Sequence, residues 1–537
     1  MQNHAYQWVD IGVIVAYMAC MIGVGAYFTR RQKSASEYLL ASRQIGWFAI
    51  GLSLLATLNS AVDYVIGPAQ ILEFGFMNLV MILPTFITFP FIFRWFLPFY
   101  QRLRLYNCYE YLEHRFDARV RMTVTLMFIL WRIEWMGTTI YLPAYVLNVT
   151  MGWNLYLTIL ALGLITTIYT TLGGVRGAIW TDVAQAFVMF AGLILATGIL
   201  MAYVPGGIGQ TWALARETGF MRFTADIPEM AAAPSVWAKL NLYFHTNLTF
   251  WAIIIGGTLS KLTSYGADQV MVQRYLTAKS IKDSKNGFIL NSVAYVVYSL
   301  LFILLGMCLL AYFKLNPLPE GTKFEYLFPY FIQHHMPVVV KGLVLAAIYA
   351  AAQSSVSSGI TATAAAIFSD LYLRLLKGKV SVDEKVSESE QHQQVRFTRI
   401  CTLCLGGCVT FFACMVGEMH AYQGLFALFS KIVGVFGGLI IPIFLLGMFS
   451  RRVGSFAVCL GAVCGLAVTY YWAFATDLGF GWTPTVAFVV VIAVSYAVSL
   501  AQLAASCVVT SIQPSPPPEK LDWTWSNIMA RPKEDAG

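Results

Sequence analysis

The chain has 537 residues, of which 58% are apolar and only 12% are charged. Soluble proteins carry about a quarter of their residues as charged side chains, so this composition excludes a soluble multidomain protein and favours the lipid bilayer as the main solvent. The net charge of +8 does not indicate nucleic-acid binding, because the basic residues lie in short runs between apolar segments, as in cytoplasmic loops.

Apolar segments long enough to cross a bilayer, roughly 20 residues each, recur along the whole chain. The first follows no basic stretch, so we interpret it as a span rather than a cleavable signal peptide. About thirteen such segments predict an all-α polytopic membrane protein. They lie near residues 7–28, 45–73, 76–99, 120–148, 153–172, 178–203, 242–264, 287–313, 338–371, 397–416, 421–448, 455–475 and 482–511.

The distribution of lysine and arginine predicts the orientation. With the N-terminus outside, about 25 basic residues face the cytoplasm and about six face outward, as the positive-inside rule requires. We therefore expect a multi-pass cell (inner) membrane protein with its C-terminus in the cytoplasm. The inside stretch 377–394 and the Pro-rich tail after Ile512 are expected to be linkers or disordered.

The ten cysteines lie mostly in apolar segments. Cys401, Cys404 and Cys408 have the spacing of a helix face rather than of a metal site, so we expect packing roles and no disulfide.

Six ionisable residues lie deep within predicted spans. At that depth a charge is costly unless it faces a partner or an aqueous cavity, so these residues predict a polar pathway through the protein. They are Asp63, Arg132, Glu134, Asp182, Lys261 and Lys431.

The second predicted span contains polar residues in its middle, in the sequence ATLNSAVDYVIGPAQ. Thr57, Asn59, Ser60 and Asp63 lie within about two helical turns, and Gly67-Pro68 follows. Proline disfavours helix at the preceding residue, so we expect unwinding near this pair, with freed carbonyl groups available to a cation. A proline-kinked structural helix is the alternative.

The ninth predicted span carries a stripe of small and hydroxylated side chains. Ala351, Ser354, Ser355 and Ser358 follow the i, i+3, i+4, i+7 spacing of one helix face, and Ser357 adjoins them. Hard oxygen ligands suit an alkali cation, but serine-rich faces also pack membrane helices together. Asp182, in the sixth span, is either solvated near the interface or the one full negative charge of a cation site.

Several motifs together resemble the sodium:solute symporter family. TLGGVRGAIWTDVAQ is similar to the family signature, and GLSLLATLNSAVDYVIGPAQILEFG is similar to its first core helix. NCYEYLEHRF, ADQVMVQRYL and FLLGMFSRR match further landmarks, so that the resemblance extends over roughly residues 8 to 511.

The resemblance implies a fold with two inverted repeats of five helices each, as in LeuT-like transporters. It implies a first repeat at 45–203 and a second at 242–448. The rest of the expected organisation is an extra helix and loop at 1–44, an outside loop at 204–241, two helices at 449–511 and a cytoplasmic tail at 512–537.

The resemblance also implies two sodium sites. The first would use the carbonyl groups of Ala56, Asn59 and Ala351 and the hydroxyl groups of Ser354 and Ser355. The second, known in bacterial sialic acid transporters, would use Asp182, Ser354, Ser357 and Ser358.

The region expected to bind the solute departs from that of the sialic acid transporters, which puts sialic acid in doubt. Asp63 stands where those transporters have threonine, and it either contacts solute or pairs with Lys261 as an internal gate. The candidate solute contacts are Ser60, Asp63, Tyr64, Arg132, Lys261, Ser430 and Lys431.

We expect a sodium-coupled symporter that imports a small polar organic solute by alternating access, together with two sodium ions. We do not expect an enzyme, since the predicted spans contain no catalytic or metal-binding constellation. Sugars, sugar acids, organic acids and amino acids stay open as solutes. Sodium is the coupling substrate and no other cofactor is expected. A solute sensor of the same fold and an uncoupled channel are the alternatives, and the sequence leaves the oligomeric state open, a monomer included.

Overall fold

The computed structural model of the protein is helical over nearly all of the residues that it describes. One parallel β-bridge joins Ile45 to Ala278, and no longer strand occurs within those residues. The described residues are 4–29, 32, 34–103, 105–224, 227, 229–318, 324–380, 387–420, 431, 433–508 and 516–531.

The first part of the chain forms the helices that carry the first predicted repeat. These are α1 His4–Thr29, α2 Ala35–Leu40, α3 Trp47–Leu58, α4 Ala61–Phe74, α5 Met77–Val80, α6 Leu83–Phe91 with a π-helical continuation Ile92–Phe96, α7 Leu97–Leu103, α8 Glu110–Arg115, α9 Ala118–Met151, α10 Leu155–Ala202, α11 Gly207–Glu217, α12 Glu229–Ala232 and α13 Val236–His245.

The remaining helices begin with a second π-helical turn, Ala252–Gly256. They are α14 Gly257–Gly266, α15 Gln269–Leu276, α16 Ile281–Leu315, α17 Leu327–His335, α18 Val340–Ala366 with a π-helical continuation Ile367–Leu376, α19 Glu388–His420, α20 Ile440–Phe449, α21 Ser455–Ala475, α22 Thr483–Val508, α23 Pro518–Leu521 and α24 Trp525–Ala530.

Within the described residues, eight helices are long and apolar enough to cross a membrane, and the bent pair α3 and α4 adds a ninth. The 48 residues of α10 account for two of the predicted spans, because at 1.5 Å per residue the helix is about 70 Å long. The spans predicted near 120–148 and 242–264 overlap α9 and α14. The span predicted near 421–448 overlaps the shorter apolar helix Val433–Phe449. The total of thirteen membrane spans remains a prediction.

The long helix α10 changes direction at Gly174. This residue has φ 55° and ψ −161°, a region that is open almost only to glycine. A Cβ atom there would lie 2.9 Å from the carbonyl oxygen of Tyr38. Glycine therefore allows the chain to turn between two spans while α2 packs closely against the turn.

Helix α18 lies at the centre of the bundle, and every residue from Val344 to Ala366 is buried. It packs against α1, α3, α9 and α10. Close approach depends on small residues: a Cβ atom added to Gly192 of α10 would lie 2.3 Å from the Cβ of Ala347. The predicted serine stripe is therefore enclosed by helices on all sides.

Loops that the charge pattern assigns to the cytoplasm contact one another. A guanidinium nitrogen of Arg176 donates to the carbonyl oxygen of Ala41 at 2.9 Å. The backbone N–H of Lys279 donates to the carbonyl oxygen of Ile45 at 3.1 Å. These loops lie on one face of the bundle, as the alternation of spans requires.

The C-terminal helices α23 and α24 pack against the same face. Arg102, at the end of α7, donates to the carbonyl oxygens of Met529 and Arg531, each at 2.8 Å. The ring of Trp523 stacks on that of His114, with the centroids 4.1 Å apart. The expectation of a disordered tail is therefore wrong for this part of it, because aromatic and charged side chains hold it to α7 and α8.

Candidate functional site

The second predicted span is broken in its middle. Helix α3 ends at Leu58 and α4 begins at Ala61, and the two helices are bent by 57°. Asn59 between them has extended backbone angles, φ −99° and ψ 110°. The break lies well before Pro68, which is inside α4. The expected unwinding at Gly67-Pro68 is therefore wrong in position.

The new helix begins at Asn59-Ser60 because Ser60 and Asp63 form a capping box. The hydroxyl oxygen of Ser60 accepts from the N–H of Val62 at 3.2 Å, and a carboxylate oxygen of Asp63 accepts from the N–H of Ser60 at 2.7 Å. This arrangement satisfies backbone N–H groups that a helix start leaves free. Two predicted solute contacts thus have a structural role in the break.

The structure brings the break against the serine stripe of α18. The hydroxyl of Ser354 donates to the carbonyl oxygens of Ala56, at 2.7 Å, and Ala351, at 3.0 Å. The hydroxyl of Ser355 donates to the carbonyl oxygen of Thr57 at 2.9 Å. Three of the five residues predicted for the first sodium site, Ala56, Ala351 and Ser354, are thus joined at one hydroxyl group. Ser355 contacts the same end of α3 through Thr57, and Asn59 lies at the adjoining break.

Asp182 on α10 lies fully buried beside this cluster. One carboxylate oxygen, Oδ2, accepts from the hydroxyl groups of Ser53 at 2.6 Å and Ser358 at 3.1 Å. The other, Oδ1, is buried and has no hydrogen-bond partner within the described structure. Since a buried carboxylate oxygen without a donor is costly, this atom marks a position suited to a cation.

Arg274 is a partner of Asp182 that the sequence analysis missed. Its side chain is fully buried, and Nη2 lies 3.4 Å from Asp182 Oδ2. The same guanidinium contacts Ser358 and Ser53. Arg274 belongs to α15 and lies about 90 positions after Asp182 in the sequence. The spacing of residues within one helix therefore could not predict this pair.

The other residues predicted for the second sodium site are close by but face different partners. The hydroxyl of Ser357 donates to the carbonyl oxygen of Ser354, one turn earlier, at 3.3 Å. Of the predicted serines, Ser358 is the one that contacts the carboxylate of Asp182.

Arg132 on α9 forms an ion pair with Asp268, immediately before α15. The guanidinium lies over the ring of Trp131, 4.5 Å from its centroid. Its neighbour Glu134 accepts from the hydroxyl of Thr138 at 3.2 Å. The charge of Arg132 is therefore matched within the protein, which leaves its predicted contact with solute untested.

Two neighbouring cavities lie beside the break. The larger has a volume of about 300 Å³ and is lined by Lys261. The smaller, about 120 Å³, is lined by Asn59 and Asp63. Gln70, Met81 and Tyr295 line both. The two cavities therefore adjoin, with Asp63 at one and Lys261 at the other.

The expected alternative of an Asp63–Lys261 ion pair is not seen, since no such pair within 4.0 Å occurs in the described part of the chain. Instead, the ammonium group of Lys261 lies 4.2 Å from the centroid of the Tyr295 ring.

The remaining predicted solute contacts lie elsewhere or outside the described residues. The hydroxyl of Tyr64 donates to the carbonyl oxygen of Met189 at 2.6 Å, which joins α4 to α10. Lys431 faces the ring of Phe474, with its ammonium 5.8 Å from the centroid. Ser430 lies outside the described residues.

A protein-family model described as the sodium:solute symporter family matches residues 38–468. The chain belongs to the sodium:solute symporter family. This confirms the resemblance stated from the sequence motifs.

Similar proteins cover nearly the whole chain. The chain is 30% identical over 501 residues to the sodium/sialic acid symporter NanT of Aliivibrio fischeri, which covers 92% of this chain and 94% of the relative. It is 28% identical to the sodium/sialic acid symporter SiaT of Proteus mirabilis, with 89% and 92% covered. A solved structure of a Na+-coupled sialic acid symporter, in a substrate-bound outward-open state with a novel Na+ site, matches with TM-score 0.80 and 27% identity over 92% of this chain and 98% of that one.

Membership and this structural match establish the general activity. The protein is a multi-pass membrane transporter, not an enzyme, and it couples the symport of a small organic solute to sodium. The expected all-α, LeuT-like inverted-repeat fold is also confirmed.

Proposed function

We propose that this symporter imports one solute molecule together with two sodium ions by alternating access. The observation that carries the proposal is the buried oxygen cluster between the break in α3–α4 and the serine stripe of α18, with the unpartnered Oδ1 of Asp182 at its edge. A cluster of hard oxygen atoms next to one carboxylate is the chemistry that an alkali cation requires.

The first ion would bind at the break. The carbonyl oxygens of Ala56, Asn59 and Ala351 and the hydroxyl oxygens of Ser354 and Ser355 are its proposed ligands. A hydroxyl group has two lone pairs, so each serine can present an oxygen to sodium while its hydrogen turns to another acceptor. No full charge is needed, because dipoles of the broken helix replace the hydration shell.

The second ion would bind at Asp182 with Ser354, Ser357 and Ser358. Sodium is not expected to occupy this site permanently, because the guanidinium of Arg274 already neutralises one carboxylate oxygen of Asp182. We infer that sodium and Arg274 compete for Asp182, and that sodium entry draws the carboxylate toward the serine stripe.

Alternating access would involve α15. Its residues from Gln269 to Leu276 are all buried. Two ion pairs fix it, Arg132–Asp268 to α9 and Asp182–Arg274 to α10. On the predicted topology this helix lies on the cytoplasmic side, so opening inward requires both pairs to separate.

The proposal includes the predicted orientation, with the N-terminus outside. It also includes the predicted five-helix repeats at 45–203 and 242–448.

The sodium stoichiometry can be measured as the ratio of labelled sodium uptake to labelled solute uptake in proteoliposomes. Asp182→Asn and Ser357→Ala should each lower the apparent number of sodium ions per solute from two to one. Ser357→Ala changes no charge, so it tests the site even where Asp182→Asn folds poorly. Thr361→Val on the same helix is the control, because that hydroxyl donates only to the carbonyl oxygen of Ser358 in the described structure.

Unchanged stoichiometry in both site variants would exclude the second site. Solute counterflow in the wild-type protein tests the carrier mechanism itself, since an uncoupled channel does not exchange solute against a gradient. Absence of counterflow would overturn alternating access.

A further inference from the structure

The N-terminus of α4 already holds a carboxylate. In transporters with broken helices, the N-terminal end of a half-helix attracts the anionic group of the solute. Here Asp63 fills that position, because its carboxylate accepts from the N–H of Ser60 at 2.7 Å. A solute carboxylate at this end would meet a like charge, so an anionic solute must bind elsewhere.

Lys261 is the cation available for such an anion. Its side chain lines the larger cavity. The ammonium group faces the ring of Tyr295 and has no ion pair within 4.0 Å in the described residues. By contrast, Arg132 and Arg274 are matched by Asp268 and Asp182. The ammonium group of Lys261 lies between the rings of Tyr295 and Tyr265, and the carboxylate of Asp63 attracts it only from beyond ion-pair distance. A solute carboxylate in direct contact would therefore be its strongest partner.

The walls around Lys261 are mainly apolar. Met81, Pro84, Ile253 and Phe480 line the cavity, whose polar side chains are few. Hydroxyl groups of a sugar would lose their hydration against these walls without gaining equivalent hydrogen bonds. A hydrocarbon surface would gain from the same contacts.

We infer that the solute is a monocarboxylate with a compact apolar body. Its carboxylate pairs with Lys261, and its apolar part lies against Met81, Pro84 and Phe480. This inference rests on the proposed function, because it assigns the solute class of the same sodium-coupled transport cycle. A cavity of about 300 Å³ accommodates a small organic acid of this kind.

A matched set of six-carbon compounds tests the assignment. Hexanoate, norleucine, hexanamide and gluconate are compared by thermal shift of the full-length protein in detergent, in sodium chloride and in potassium chloride. Hexanoate should raise the melting temperature in sodium more than the other three compounds do at equal concentration. Norleucine tests whether Asp63 selects an amino group, and gluconate tests a polyhydroxylated acid.

An equal or larger sodium-dependent shift with norleucine, hexanamide or gluconate would overturn the monocarboxylate assignment and leave sodium-coupled transport standing. Absence of a hexanoate shift in sodium would also overturn it. Shifts that are the same in both salts would instead contradict coupling, and so the proposed function.

Variants of Lys261 test the anchor. Lys261→Gln should reduce the preference for hexanoate over hexanamide by on the order of tenfold, since a charge-assisted hydrogen bond is lost. Lys261→Arg should keep the preference. Lys285→Gln is the matched control, because Lys285 also lies over an aromatic ring, that of Phe93 at 4.3 Å, away from both cavities. An unchanged preference in Lys261→Gln would exclude Lys261 as the anchor.

Discussion

Arg274 and Asp182 make a buried ion pair at the point where the second sodium ion is proposed to bind. Both side chains are fully buried, so separating them leaves charges in a medium of low dielectric constant. The contact is stable only while each charge has a partner. A sodium ion at Asp182 would supply that partner and free Arg274 to move with α15.

Arg274→Gln should therefore make the stability of the protein depend on sodium. Leaving the carboxylate of Asp182 unpaired costs about 3–5 kcal/mol, and a bound sodium ion recovers part of this. We expect a larger fall in melting temperature in potassium than in sodium. Arg115→Gln is the control, because its guanidinium donates to the carbonyl oxygens of Gly447 and Ser450. Equal losses in both salts for Arg274→Gln would contradict the proposed competition.

Glu110 on α8 is a buried acid in a second charged cluster, near the face that the charge pattern predicts to be cytoplasmic. Its carboxylate accepts from the hydroxyl of Ser369 at 3.1 Å, while Arg121 pairs with Asp370 and Glu113. Burial raises the pKa of Glu110 from 4.5 to about 7, because loss of hydration outweighs the attraction of Arg121. Between these two pKa values the folded protein binds more protons than the unfolded chain at this group.

The stability that Glu110 contributes should thus fall as pH rises from about 4.5 to about 7. Glu110→Gln, which cannot ionise, should melt at a higher temperature than wild type at pH 8 and show no such gain at pH 5. Glu113→Gln is the contrasting variant, since that carboxylate pairs with Arg121 and Arg374 and its loss should destabilise at both pH values. A Glu110→Gln difference that does not vary with pH would refute the prediction.

At the scale of elements, the length of the apolar segments predicted the helices well, but the interruption in the second span depended on local chemistry. Ser60 and Asp63 have the Ser-x-x-acid spacing of a capping box, which was the available signal for the break. Pro68 was the more conspicuous feature, yet α4 contains it. The serine stripe and Asp182 were predicted as site residues, and the structure brings them together.

Arg274 and Asp268 could not be predicted in the same way. Both ion pairs join α15 to helices that are distant in sequence, and a loop motif rich in polar residues is usually solvated. Only the three-dimensional packing shows that α15 is buried. The packing of the tail could not be predicted either. Its few apolar residues stabilise helices only by contact with the surface of the bundle, which the sequence of the tail does not show.

The turn in α10 depends on one glycine. Gly174→Ala should destabilise the protein by about 1–3 kcal/mol, since the backbone angles there suit glycine alone and the added Cβ would approach Tyr38. Gly198→Ala in the same helix is the control: it has open space around it and should be neutral or slightly stabilising. Melting temperatures of the two variants check this, and equal effects would contradict the role of Gly174.

At the scale of the whole molecule, the C-terminal helices join elements that are far apart in sequence. The indole N–H of Trp525 donates to the carbonyl oxygen of Trp95 at 3.2 Å, and its ring contacts that of Phe449. Lys520 donates to the carbonyl oxygen of Glu113 at 2.9 Å. The tail thus connects α7, α8 and α20 at one face of the bundle.

Arg102→Ala should release this tail, because one guanidinium nitrogen lies within 3.2 Å of three carbonyl oxygens at the end of the tail and a hydrogen bond from a charged donor contributes about 1.5–3 kcal/mol. Trypsin should then cleave after Lys520 on the order of tenfold faster, as the open population rises. Arg119→Ala, at an exposed position, should leave the rate unchanged. Equal rates in Arg102→Ala and wild type would show that Arg102 does not hold the tail.

The charge moved per cycle links the sodium sites to the solute class. Two sodium ions with one monocarboxylate carry a net charge of +1, so a potential of about 100 mV contributes about 2.3 kcal/mol to accumulation. Asp182→Asn, with one sodium ion, should transport the same solute without current. Current recordings and labelled-solute uptake on the same proteoliposomes check this. Undiminished current per solute in the variant would contradict it.

The contacts of the tail have a consequence for biosynthesis. Residues 516–531 follow α7, α8 and α20 in sequence, so the ribosome delivers them after these three helices. Until then the backbone carbonyl group of Trp95 and the ring of Phe449 lack these partners. Nascent chains that stop before residue 516 would therefore leave uncovered the surface on which the tail packs, so this part of the fold can form only late in synthesis.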